Sequence, residues 1–179
     1  MTLSRFAILL GTVLAAPQVW ALAKPAEFAA AVRKFPRSLS WGYLLMAIGT
    51  TWFLINLNRE AIAEFAAYKT WMLLGFGGVA VMACFYVPDY LAVRGMCITL
   101  LMVAAYTLSL TRWHTSPFRL ILVVWAYLVV VLSMWFMVSP WRVRDILNWA
   151  TATPERLRRL AAGRLAFAVL IIILGAVVY

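Results

Sequence analysis

Hydrophobic residues in this chain gather in six runs that hold no Lys, Arg, Asp or Glu, at 6–23, 38–58, 70–88, 95–111, 120–141 and 165–179. Every charged side chain falls between these runs or at their edges. About 20 apolar residues in a helix match the roughly 30 Å hydrocarbon core of a bilayer. Backbone N–H and C=O groups in lipid must be satisfied within the segment, so each run is expected to be helical. The pattern predicts an all-α fold: a polytopic transmembrane helix bundle with about six spans, near 6–23, 38–58, 70–88, 95–111, 118–139 and 160–179, in a single membrane domain over 1–179. The last run has only 15 charge-free residues, about 22 Å of helix. Leu160 to Arg164 must therefore enter the core, with Arg164 reaching back to the headgroups.

Two short stretches carry a different period. Phe28, Val32 and Phe35 recur at helical spacing within 25–35, with the charges mostly off that stripe. Val143, Ile146, Leu147 and Ala150 do the same within 140–150, flanked by Trp141 and Trp149. Both read as amphipathic helices lying in the headgroup layer. Ser116-Pro117, Ser139-Pro140 and Thr153-Pro154 each offer a hydroxyl N-cap followed by Pro at the first helical position. Asp89 is placed to cap the fourth span, and Pro17 is expected to bend the first.

Composition excludes a soluble domain. Of 179 residues 66% are hydrophobic and 12% charged, against about 45–50% and 25% in soluble proteins. The net charge of +10 ordinarily suggests nucleic acid. Here the basic residues adjoin apolar spans, so anionic lipid is the nearer counter-charge, at about 1 kcal/mol per residue. Arg33, Lys34, Arg142, Arg144, Arg156, Arg158, Arg159 and Arg164 are the headgroup candidates, and no nucleic-acid partner is expected.

Loop charge also orients the chain. One side holds Lys24, Arg33, Lys34, Arg37, Arg94, Arg142, Arg144, Arg156, Arg158, Arg159 and Arg164; the other holds Arg5, Arg59, Lys69, Arg112 and Arg119. The larger set belongs in the cytoplasm. Both termini are then outside, in an arrangement that suits a bacterial inner membrane. Residues 1–23 resemble a signal peptide ending in Ala21-Leu22-Ala23. The cluster from Lys24 to Arg37 opposes outward transfer, so the segment reads as an uncleaved helix.

Little points to catalysis. No ionisable residue falls in the middle of a run, and hydrolase, zinc-protease and phosphate-loop motifs are absent. The one histidine, His114, is the candidate cofactor ligand. No cofactor is evident otherwise; a pigment or quinone is the class that flat apolar faces would take. Asp89 and Arg94 share one turn and form a candidate ion pair. Asn56, Tyr106 and Thr107 are polar groups within spans, able to bond between helices or to line a solute pocket. Gly75, Gly77 and Gly78 favour close approach to the third span. Cys84 and Cys97 read as small apolar fillers rather than a disulfide. No metal site is expected. The function expected is that of a non-catalytic accessory subunit of a larger membrane complex, with lipids and other subunits as partners. A transporter or channel for a neutral or anionic solute is the alternative, and a lipid-modifying enzyme a weaker one.

Overall fold

The computed structural model describes residues 2–60 and 67–179. Among these, helix follows helix with no strand: α1 (Leu3–Ala23), α2 (Pro25–Lys34), a 3-10 turn (Phe35–Arg37), α3 (Leu39–Arg59), α4 (Lys69–Tyr86), α5 (Leu91–Thr111), α6 (Arg119–Val138), α7 (Trp141–Ala150) and α8 (Pro154–Val177). Five of them, α1, α4, α5, α6 and α8, are long and apolar enough to cross a bilayer. α3 meets that measure only together with Pro25–Arg37, from which it is bent by 68°. Its 21 residues suffice in length, but Trp41, Tyr43, Thr50, Thr51, Asn56 and Asn58 dilute its apolar character. The chain is a helical integral membrane protein.

The structure divides into two compact units. One comprises Met1–Lys34, Ala105–Leu128 and Arg144–Tyr179; the other comprises Phe35–Ala104 and Val129–Val143.

The first unit is organised by an antiparallel pair, α1 and α8. Small residues let the two backbones meet. A Cβ on Gly11 would lie 2.8 Å from the Ala168 carbonyl oxygen, and one on Gly175 would lie 3.1 Å from the Ile8 amide nitrogen. The Ser4 hydroxyl donates to the Gly175 carbonyl at 2.6 Å. At the other end of the pair Ala21, Leu157 and Ala161 are buried, with Phe28 and Ala29 of α2 packed on them. The Trp20 and Phe28 rings meet edge to face. α8 carries a buried stripe of Leu157, Ala161, Ala168, Ile171, Leu174 and Gly175. Thr153 accepts from the Arg156 amide, the expected cap beside Pro154. α1 runs through Pro17 as one helix.

In the second unit α3 and α5 lie parallel and in close contact. Gly42 faces Leu91 and Ala92, Gly49 faces Ile98 and Thr99, and Gly95 faces Leu45 and Met46. The Thr99 hydroxyl crosses this contact to the Leu45 carbonyl at 3.3 Å, while also bonding the Gly95 carbonyl at 2.9 Å. α4 runs antiparallel to α3, with Phe53 on Phe76 and Leu54 against Gly77. No residue of α4 is buried.

Two expectations need correcting. Gly75 and Gly78 face open space, with nothing within 4 Å of where a Cβ would sit. Close helix approach falls instead on Gly11, Gly42, Gly49, Gly95 and Gly175. Asp89 does not cap α5. The helix begins at Leu91, preceded by Tyr90 at φ +58°. That left-handed residue occupies the cap position, and its carbonyl accepts from Val93 and Arg94. Asp89 lies one residue too early and is exposed.

Candidate functional site

Arg94 stands in the first turn of α5, inside the helix rather than in the turn before it. It is half-buried. Its Nε is buried and has no hydrogen-bond partner. The expected pair with Asp89 is not formed: among the described residues the ion pairs are Lys24–Glu27 and Arg144–Asp145. A buried guanidinium N–H ordinarily finds an acceptor, so this Nε is an exception that calls for an explanation.

Arg94 opens onto a cleft of about 370 Å³ within the second unit. The α3 wall is Met46, Thr50 and Phe53. Phe76, Val79, Ala80 and Ala83 form the α4 wall. α5 contributes Ile98, Leu101 and Met102 below Arg94, and α6 adds Met137. Arg94, Ile98, Leu101 and Met102 recur at helical spacing and make one stripe, about 12 Å long at 1.5 Å per residue. The parallel pairing of α3 with α5 puts Met46 at the Arg94 end and Phe53 towards the far end. The cleft is thus apolar along its length and cationic at one end. Its volume falls in the range of small-molecule sites, about 300–1,000 Å³.

The other candidate residues are distributed elsewhere. Asn56 is half-buried, and its amide donates to the Met102 sulfur at 3.9 Å, a weak contact. Tyr106 and Thr107 belong to the other unit. Tyr106 meets Phe6 edge to face at 5.2 Å, and Thr107 is fully buried, its carbonyl accepting from the Thr111 hydroxyl. The three were grouped by their polarity, and the fold assigns them to separate surroundings.

His114 sits in the α5–α6 turn, where its surroundings hold it firmly. The Ser116 amide donates to Nδ1 at 3.2 Å. Arg119 donates to the His114 carbonyl at 2.6 Å and to the Arg112 carbonyl at 3.0 Å, placing a cation at the end of α5. The ring meets Tyr179 edge to face at 5.4 Å, and the Tyr179 hydroxyl donates to the Phe118 carbonyl at 2.7 Å. An imidazole that accepts at Nδ1 carries its proton on Nε2. The arrangement fastens a helical turn to residue 179. Burial raises the Tyr179 phenol above its ordinary value of 10.

Among the eight headgroup candidates, three are engaged with the protein. Arg33 donates through Nε to the Thr151 hydroxyl at 2.8 Å and through Nη2 to its carbonyl at 2.7 Å, tying α2 to the end of α7. Arg144 pairs with Asp145 at 2.8 Å. Arg156 lies over the Trp149 ring at 4.9 Å and donates to its carbonyl. Lys34, Arg142, Arg158, Arg159 and Arg164 are exposed. Arg164 borders a further cleft, about 350 Å³, with Gln18, Trp125 and Phe167. Cys84 and Cys97 are free thiols. Among the described residues no three His, Cys, Asp or Glu side chains are grouped to hold a metal. The Glu60–Glu64 pair that the sequence sets four apart cannot be placed, since Glu64 lies outside the described residues.

Comparison with protein-family models, with curated proteins and with solved structures finds no match to this chain.

Proposed function

We propose that the chain is a non-catalytic accessory subunit of a larger membrane assembly, packing its helices against partner subunits and holding lipid at their border. The observation that carries this reading is α4. It is a span of 18 residues with none buried. Gly75 and Gly78, one turn apart on it, meet nothing. Lipid tails gain little from a glycine patch, whereas a second helix gains close backbone contact there. Trp71, Phe85 and Tyr86, each more than 70% exposed, bracket the same helix with aromatic anchors for a partner or for the interface.

Loop charge supports the accompanying topology, in which the 24–37 and 142–164 stretches face the cytoplasm of a bacterial cell and both termini face out. Single cysteines at 34 and 158 should then label from the same side. Labelling from opposite sides would overturn the topology.

The assembly itself is tested by gentle extraction from native membrane and mass spectrometry of what co-purifies. Specific membrane proteins should accompany the chain. Gly78→Leu should release them while leaving the chain's own unfolding midpoint unchanged. A monodisperse, stable, solitary monomer from native membrane would refute the reading.

A further inference from the structure

We propose that the cleft between α3, α4, α5 and α6 is a binding site for one anionic phospholipid. The lipid phosphate sits on Arg94, and an acyl chain runs along the stripe towards Phe76 and Met102. The inference concerns an internal cleft of the chain and stands apart from the assembly reading, since it needs no partner subunit.

Three observations support this site together. The first is the guanidinium. Arg94 is half-buried on a membrane helix and lines the cleft, and its Nε is out of contact with solvent with no acceptor among the described residues. Removing a cation from water without a partner is costly, and in membranes such residues pair or face a polar species. A long basic side chain one turn from a helix end can ordinarily extend to the headgroups, its charge in water. Arg94 instead lines the cleft.

The second observation is the shape behind it. Apart from Thr50, the remaining lining is hydrocarbon, aromatic ring or thioether. Methionines such as Met46, Met102 and Met137 adapt to a flexible chain without a fixed mould. A small free anion would leave this surface unfilled, and a bare apolar tail would leave the Arg94 charge without a counter-ion. An amphiphile satisfies both.

The third is register. The α4–α5 turn lies at residues 87–90 and Arg94 is four residues further on, about 6 Å deeper along the axis. Apolar walls continue from there in one direction only, through Ile98 to Met102. That is the order in which a bilayer phospholipid presents phosphate and then acyl chain. Phosphate oxygens accept well-directed bonds from a guanidinium. The surrounding bilayer is the source of the ligand, so no separate delivery is needed.

The test uses the full chain in mild detergent, with native mass spectrometry to count retained lipid during titration with phosphatidylglycerol or phosphatidylcholine. Wild type should retain one phosphatidylglycerol in preference to phosphatidylcholine. Arg94→Gln should weaken that retention about tenfold, the effect of losing a charge-assisted bond. Arg94→Lys should keep part of it, which guards against misreading a folding defect. Ala80→Phe, which fills the cleft and spares Arg94, should also abolish retention. Arg158→Gln with Arg159→Gln should leave it intact, separating this site from the general basic surface.

Equal retention of both lipids would overturn the proposal, as would unchanged retention in Arg94→Gln or in Ala80→Phe. Displacement by inorganic phosphate alone would reduce the site to an anion contact and refute the acyl-chain part. A crosslink from position 94 to a carboxylate of a co-purifying protein would replace the lipid with a protein partner. A solitary wild-type monomer from native membrane that still retains the lipid would sink the assembly reading and leave this one standing.

Discussion

Gly95→Ala isolates the contact that joins α3 to α5. The added methyl would lie 2.7 Å from the Met46 amide nitrogen and 2.9 Å from the Leu45 carbonyl carbon. Relaxed carbon contacts need about 3.5–4.0 Å, so the helices must part by roughly 1 Å. The obstacle is backbone, which cannot rotate aside. Overpacking of this kind costs about 1–3 kcal/mol. The Thr99 bond to the Leu45 carbonyl, already 3.3 Å long, would stretch beyond bonding range, adding about 0.6 kcal/mol. Alanine's better helix propensity returns about 1 kcal/mol. The net expectation is a loss of about 1–2 kcal/mol. Gly78→Ala is the matched control: its methyl meets nothing, so no loss follows. Thermal unfolding in detergent, read by modification of the fully buried Cys97 thiol in a Cys84→Ser background, measures both. If Gly95→Ala unfolds with wild type, or Gly78→Ala proves equally harmful, the glycine-contact argument is wrong.

Two further predictions follow from the ends of helices. Thr151→Val removes the hydroxyl that accepts from Arg33 and donates to the Leu147 carbonyl; at about 1 kcal/mol, hydrogen exchange in α2 should quicken about fivefold, and unchanged exchange would show that the tie is inert. Tyr179 tests the sign of a titration. Its phenol ionises above its ordinary value of 10, so its contribution to folding is complete below pH 10 and is lost as pH rises through the raised value, where a phenolate can no longer donate to the Phe118 carbonyl. Unfolding midpoints against pH should show this alkaline step in wild type and lose it in Tyr179→Phe; superimposable curves would refute it.

Much of the fold was legible because hydrocarbon is an unforgiving solvent. Runs free of charge gave the spans, a helical stripe at Phe28 and Val32 gave α2, and Thr153-Pro154 gave the start of α8. The same rule concealed the site. Ending each run at a charge put Arg94 in a turn, when it belongs to the first turn of α5. Its neighbours Phe76, Met102 and Met137 look like ordinary core residues until α3, α4 and α6 are brought beside it. Glycine contacts were hidden for a related reason. Gly75, Gly77 and Gly78 draw the eye because they cluster locally. Gly11, Gly95 and Gly175 are solitary, and each gains its role from a residue far along the chain. Asp89 failed as a cap for a local reason that spacing could not reveal: the left-handed turn falls on Tyr90.

The pairing of α1 with α8 sets an order for biogenesis. α1 enters the bilayer with Gly11 and Ser4 turned towards a helix that the ribosome has not yet made. At about 5–20 residues per second, on the order of ten seconds separate the two. During that wait the narrow groove at Gly11 is open to any passing helix. Insertion factors or membrane proteases that sense unmated small residues would find α1 in every nascent copy, and would lose sight of it once Ile172 closes over the gap.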